Sequence, residues 1–390
     1  MARLVPFAYG FRPFFLAAGW YALVAIGLWL WLYQAGLAPF GRLPAFQWHA
    51  HEMLFGFIAA AIAGFMLTAV PSWTGERGFA GRPLVWLASL WLAGRVAMAL
   101  AGVLPLALVA VAELAFLPAL AATIAPSLLR SSNRNAPLLI VLFVFWAVDA
   151  AFLYAMRDGD FLVASRALRL ALDVVLVLVT VIGGRIVPAF TASALRRRGA
   201  ELRVRTHRAV EVTAIGSMIV LVFADLVGPL HWITAAITLI AALAHIARIA
   251  GWQTLKTFSE PIVWVLHAAY LWLPVGLLLK AVWLLAGAGW AAHWPHALGA
   301  GAAATMILAV MTRASLGHTG RPLVVAKPIA WAYAFLILAA AVRVFGPAVL
   351  PLSYPHVIAC AAVLWIAAFL LYVWVYTPIL LGPRADGKPG

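Results

Sequence analysis

The chain carries ten histidines and a single cysteine, so a metal or redox group in it must be held by imidazole, carboxylate or thioether. Cys360 stands alone, which excludes an intrachain disulfide, a Cys-ligated iron–sulfur cluster and a covalent C-x-x-C-H haem. Three groups of histidines fall near the ends of apolar runs: Trp48-His49-Ala50-His51-Glu52-Met53, the pair His293 and His296, and the stretch from Arg313 to His318. The first is the most telling. H-x-H-E at the mouth of an apolar helix offers imidazoles that suit copper, iron and zinc alike, beside a carboxylate able to carry a proton. Zinc hydrolysis is disfavoured, because H-E-x-x-H, which sets two histidines and a base on one helix face, is absent.

Helix geometry limits what these residues can share. On a regular helix His49, Glu52 or Met53, Gly56, Ala60 and Gly64 form one small-residue face, suited either to close helix approach or to a flat ligand. His51 is turned about 200° away, toward the side of Phe55 and Ile62. The two histidines therefore cannot both enter one cavity from a regular helix; either the helix starts after them or they serve different partners. His296, Gly299, Ala303, Met306, Val310 and Arg313 make a second such stripe, and a histidine above a glycine and alanine face suits a haem edge.

The elements that must position these groups are set by composition. Of 390 residues 66% are hydrophobic and 10% charged, and the mean hydropathy is +1.03. A water-soluble ball of this size needs about 25% charged residues to face solvent, so the solvent for most of the chain is lipid. Apolar stretches near 14–34, 48–70, 83–102, 104–127, 136–155, 161–188, 208–227, 230–250, 260–286, 293–313, 327–346 and 354–381 predict an all-α, polytopic transmembrane bundle of about twelve spans. The first is read as a retained span, with no A-x-A cleavage site after it. Arg and Lys alternate strongly between the joints: one side holds the Arg196-Arg197-Arg198 loop and both termini, the other only Arg42, Arg157 and Arg343. That bias places both termini in the cytoplasm. It also gives the net charge of +15 a topogenic cause with membrane lipid as the contact, and no nucleic acid is implied. The whole of 1–390 is expected to be one integral membrane domain, with approximate halves 1–195 and 208–390 joined by the basic cytoplasmic loop.

Ionisable residues inside spans are costly and mark interiors or cavities. Arg95, Glu113, Asp149, Arg166, Arg169, Asp173, Arg185, Asp225 and Lys280 fall there. Arg169 and Asp173, four apart, can pair on one helix face. Glu113, Asp149 and Asp225 lack a local partner and either relay protons or pin helices. Arg185, in Gly183-Gly184-Arg185-Ile186-Val187-Pro188, can hold a haem propionate or nearby carbonyls, and Pro188 is expected to help end the sixth span. His231, His293 and His356 read as interface residues, while His207, His245, His267 and His318 lie toward the cytoplasm.

Several separated blocks closely resemble the NnrS family. They are QWHAHEMLFG from Gln47, AGFMLTAVPSWTG ending at Gly75, GGRIVPAFT at 183–191, LHAAYLWLPVG at 266–276, and HALGAGAAATMILAVMTRASLGHTGRPL from His296. The resemblance runs from about residue 6 to the last span. It implies a multi-pass protein of the bacterial inner membrane that binds haem and copper and acts in denitrification and the response to nitric oxide. His49, His51, Glu52, Arg185, His267, His296, Arg313 and His318 stand in the family-like blocks. The H-P-E-V-Y-type copper block of haem–copper oxidases is absent.

The resulting expectation is a haem b and copper protein that binds nitric oxide at haem iron and turns it over, with an electron donor left open. A non-catalytic NO-binding or metal-protecting protein, or a small-molecule or metal transporter, is the alternative. His49, His51 and His296 are expected to form a periplasmic-side metal site. His267 and His318 would serve a separate cytoplasmic-side one, Arg185 and Arg313 would support the cofactor, and Glu52 and Glu113 would deliver protons. His296 and His318 are kept apart because the helical stretch from His296 to Arg313 alone spans about 25 Å.

Overall fold

The computed structural model describes residues 5–37, 43–199, 204–228 and 231–388. Among them there is no β-strand, and twelve long helices account for the chain. They are α1 (Phe11–Ala35), α2 (Ala45–Thr74), α3 (Arg82–Ala99), α4 (Leu106–Arg130), α5 (Leu138–Asp158), α6 (Phe161–Arg197), α7 (Arg208–Val227), α8 (His231–Ala250), α9 (Pro261–Ala286), α10 (Gly289–His318), α11 (Lys327–Val349) and α12 (Tyr354–Leu381). All but α3 are long and apolar enough to cross a membrane. The exception has 18 residues and carries two arginines, Arg82 exposed at its start and Arg95 buried, where an ionisable group needs partners.

The ends of these helices follow local chemistry. Prolines stand in the first turn of α3, α9 and α11, where a missing N–H costs nothing. Gly36 adopts a left-handed φ of 64° and returns its N–H to the carbonyls of Leu32 and Tyr33, which closes α1. One expectation fails at α6: the helix passes through Pro188 and continues to Arg197. Polar groups and a locally looser winding absorb the proline, since Thr191 donates back to the Val187 carbonyl at 2.7 Å and a π-helical turn, Val179–Gly183, lies just upstream.

Three such π segments interrupt the long helices: Glu52–Ile58 in α2, Val179–Gly183 in α6 and Ala297–Ala304 in α10. Each begins beside or within a sequence block that carries chemistry, and π turns in α-helices concentrate at functional sites. Their wider turn also breaks the regular 3.6-residue register on which the His49–Gly64 and His296–Arg313 stripes were drawn.

The chain forms two compact units. The first comprises Met1–Ala171, Met311–Leu323 and Phe369–Gly390; the second comprises Leu172–Val310 and Val324–Ala368. In the first unit the described start and end of the chain meet. The buried Arg12 guanidinium donates to the carbonyls of Leu380 at 2.9 Å and Gly382 at 2.7 Å, and the Val5 N–H donates to Leu381 at 2.9 Å. Arg12 thus caps the carbonyl end of α12, where a cation is favoured, and the beginning of α1 shares a side with the end of α12, as an even number of crossings requires. In the second unit α8 packs along both α7 and α9, and the π segment of α10 lies against α9 and α11.

Candidate functional site

Five helices of the first unit bring together the ionisable residues that the sequence left without partners. His51 is fully buried, and its Nδ1 lies 2.8 Å from Glu52 Oε1 while its Nε2 lies 3.0 Å from Asp149 Oδ1 and 3.9 Å from Glu113 Oε1. Arg95 donates from one nitrogen to Glu52 Oε2 at 2.7 Å and from the other to Glu113 Oε1. The Tyr21 hydroxyl bonds the same Glu52 Oε2. The guanidinium fork is what lets one cation serve two carboxylates from different helices, a task a lysine point charge does not match.

The backbone is shaped for this cluster. The π segment starts at Glu52, and its Gly56 carbonyl accepts from Trp91 Nε1 at 3.0 Å. A Cβ on Gly94 would stand 2.7 Å from Glu113 Oε2, so the absence of a side chain beside Arg95 lets α4 bring its carboxylate in. Aromatic rings close the site against water: Phe55 and Phe152 lie 4.9 and 4.8 Å from the His51 ring, and Phe145 stacks on Phe55 at 4.6 Å. Behind Phe152 an apolar cavity of about 400 Å³ is lined by residues including Met98, Leu106, Val109, Phe152, Met156 and Arg157.

The expected histidine pairing resolves into different partners. His51 turns into the carboxylates, whereas His49 is half-buried and stacks on Trp29 at 4.4 Å. His318 also lies in the first unit, stacked with Tyr9 at 6.0 Å, and the Arg384 guanidinium donates to its carbonyl at 2.7 Å. Arg313 is buried there as well. His296 and His267 belong to the second unit. His296 is half-buried at the last residue before the π segment of α10, and His267 is held between Thr191 Oγ1 at 2.7 Å and Thr254 Oγ1 at 3.0 Å. Arg185 lies exposed on α6. Asp173, expected opposite Arg169, is engaged by Lys280 of α9 at 3.4 Å, and Lys280 also bonds Asp225 of α7 at 2.5 Å; this ion triad ties three helices of the second unit.

The second unit holds one arrangement that the sequence did not single out. His245 Nδ1 lies 2.8 Å from the Tyr270 hydroxyl, which accepts from Arg248 at 2.6 Å. Arg248 is clamped in turn by the Glu211 carboxylate and by the Thr180 carbonyl at 2.8 Å. His245 Nε2 is buried and has no hydrogen-bond partner. An apolar helix with one histidine three residues before an arginine gives little signal, and Tyr270 and Glu211 reach it only through the fold.

The donor sets can be compared with the groups the resemblance implies. His51, Glu113 and Asp149 offer ligand atoms within 4.8 Å of one another, which fits a compact cation. They do not fit haem: both His51 nitrogens are engaged, and the small face of α2 is filled, Gly56 by Tyr21 and Arg95, Gly64 by Phe14 and Phe15. Close helix approach, not a flat ligand, explains those glycines. In the second unit a Cβ on Gly299 would meet only Leu172, at 3.9 Å, while Gly301 is filled by Trp272 and Ala303 and Met306 are buried; His245 separately supplies an imidazole nitrogen without a partner. In donor chemistry that one nitrogen suits haem iron or copper, whereas both nitrogens of His267 are engaged.

Eleven helices long and apolar enough to span a membrane, with buried ion clusters in each unit, define a polytopic helical membrane protein. The NnrS protein family matches residues 5–384, and the chain belongs to that family. This membership supports a nitric-oxide-response membrane protein. No curated protein matches the chain.

Proposed function

We propose that this chain is a haem b and copper protein of the bacterial inner membrane that takes up nitric oxide at haem iron and turns it over, with the cluster of the first unit as its proton store. The observation that carries the reading is the charge of that cluster. Glu52, Glu113 and Asp149 are buried with one guanidinium, Arg95, and Glu113 Oε2 has no hydrogen-bond partner. Buried carboxylates in excess of their cations need bound protons or a further cation. A protein that only captured nitric oxide would have no use for stored protons, whereas one that reduces it consumes them.

When bound, haem supplies iron that coordinates nitric oxide and exchanges an electron. The chain's own residues manage the proton. Asp149 and Glu52 contact opposite nitrogens of His51, so a proton accepted at Nε2 from Asp149 is matched by one released at Nδ1 to Glu52 Oε1. Arg95 holds Glu52 and Glu113 in register, and Tyr21 fixes the outer oxygen of Glu52. Phe55 and Phe152 keep water from short-circuiting the imidazole.

The test is a visible spectrum of the purified, reduced protein before and after nitric oxide, with consumption followed at an electrode under a chemical reductant. A haem b spectrum that shifts with nitric oxide is expected. Glu52→Gln and Asp149→Asn should keep that spectrum and slow consumption by roughly 10²-fold, the ordinary worth of a positioned proton donor. A colourless protein, or variants that consume nitric oxide at the parental rate, overturns the reading. A second reading rests on the clustered ligand atoms of His51, Glu113 and Asp149, which would hold a divalent metal ion; metal stoichiometric with the chain and lost in His51→Ala would favour it.

A further inference from the structure

We infer that His245 is a cofactor ligand: its Nε2 binds, within the second unit, a transition-metal centre of the kind that takes imidazole, haem iron or copper(I). The inference rests on the reading above that the chain carries such a centre, and it assigns a residue outside the histidine groups that the sequence put forward.

His245 is fully buried on α8, and its Nε2 makes no hydrogen bond. Leaving a buried polar nitrogen unpaired is costly, and in proteins the great majority find partners. An imidazole retained in an apolar helix with one nitrogen bare is explained when that nitrogen serves a bound group.

Ligating histidines characteristically have their other nitrogen fixed by a hydrogen bond, which sets tautomer and orientation. Here Tyr270 fixes Nδ1 at 2.8 Å, Arg248 donates to the same hydroxyl at 2.6 Å, and Glu211 and the Thr180 carbonyl lock Arg248. With Arg248 donating to the hydroxyl oxygen, the Nδ1–H can donate there too, and the lone pair then stands on Nε2. Three side chains and one backbone carbonyl thus hold a ring whose other nitrogen makes no hydrogen bond.

The Thr180 carbonyl belongs to the π segment Val179–Gly183, and Thr180 Oγ1 is likewise buried without a partner. A Cβ at Gly183 would stand 3.2 Å from the Tyr270 ring and 3.5 Å from the Met306 methyl group, so Met306 packs beside the tyrosine that orients His245. Imidazole with thioether suits copper(I), and imidazole alone suits haem iron.

The experiment compares the full-length protein with His245→Ala, Tyr270→Phe and a control, His231→Ala, all purified in detergent from cells supplied with haem precursor and copper. Haem is read from the Soret band, and copper from its amount per chain. His245→Ala should lose either the Soret band or the copper, and the one lost identifies the centre; added imidazole should restore it. Tyr270→Phe, which keeps the ring and removes the orienting hydroxyl, should hold the centre about 10-fold more weakly and shift its spectrum. His231→Ala should match the parent. If the parent holds neither haem nor copper, the reading of the previous section fails. If the parent is loaded and His245→Ala is equally loaded, this inference alone fails. Should His245→Ala not fold, an unshifted spectrum in Tyr270→Phe overturns the inference and a shifted one upholds it.

Discussion

Replacing Arg95 by methionine keeps much of the side chain's length and removes the guanidinium from a site where it faces three carboxylates. In the folded protein Arg95 is 5% exposed and bonds both Glu52 and Glu113, while His51 and Asp149 lie in the same cluster. Removing one partner of a buried pair leaves an uncompensated charge and costs roughly 3–5 kcal/mol. Two carboxylates lose their partner together here, so the upper part of that range is expected. A compensating change provides the internal check: Glu113→Gln added to Arg95→Met removes one of the stranded charges and should return about half of the loss. The assay is reversible unfolding in mixed detergent micelles, followed by tryptophan fluorescence, with Arg95→Lys as an intermediate. A loss below about 1 kcal/mol, or a double variant no more stable than Arg95→Met, would refute the claim that this cluster is held by charge.

Other expectations can be checked in the same preparations. Gly56→Ala drives a methyl group into Tyr21 and Arg95 and should destabilise by about 1–3 kcal/mol, while Gly27→Ala, which meets nothing within 4 Å, should be neutral in the same melt. Arg12→Ala strands the carbonyls that end α12 and should cost about 1.5–3 kcal/mol, seen also as faster protease cleavage of the tail. Asp386, in the tail beyond α12, is held at about 2 by hydrogen bonding to Arg384. A depressed carboxylate contributes stability at pH above its ordinary value and loses it as pH falls through 2. Carbon NMR of the Asp386 carboxyl should therefore titrate near 2 in the parent and return toward its ordinary value in Arg384→Gln.

Long apolar runs made the helices legible, because a span is a property of about twenty consecutive residues and needs no partner to be recognised. The alternation of Arg and Lys likewise gave an even number of crossings, and the meeting of Arg12 with the end of α12 agrees with it. Contacts were another matter. Arg95 lies 43 residues from Glu52 and 18 from Glu113, and no local periodicity joins them. The imbalance of Arg95 with Glu52, Glu113 and Asp149 across five early spans was the available hint. Helix arithmetic left open whether His49 and His51 serve different partners, and in the fold they do, although one shared site had been expected of them. It could not foresee the π turns, since an i to i+5 bond leaves no residue pattern, and for that reason Pro188 was read as a stop. His245 was passed over because a ligand is recognised by what supports its far nitrogen, and Tyr270 and Arg248 come to it only in three dimensions.

The junction of Arg12 with α12 bears on how the protein is made. The first helix is made long before the carbonyls that Arg12 needs, which lie 368 residues further along the chain. Until α12 is made, that guanidinium lacks the carbonyls it caps. The first unit, which includes the segment from Phe369 onward, is therefore finished last as well as started first. A chain interrupted before residue 369 would lack the Leu380 and Gly382 carbonyls that the Arg12 guanidinium binds, and the first unit would lose its closing segment.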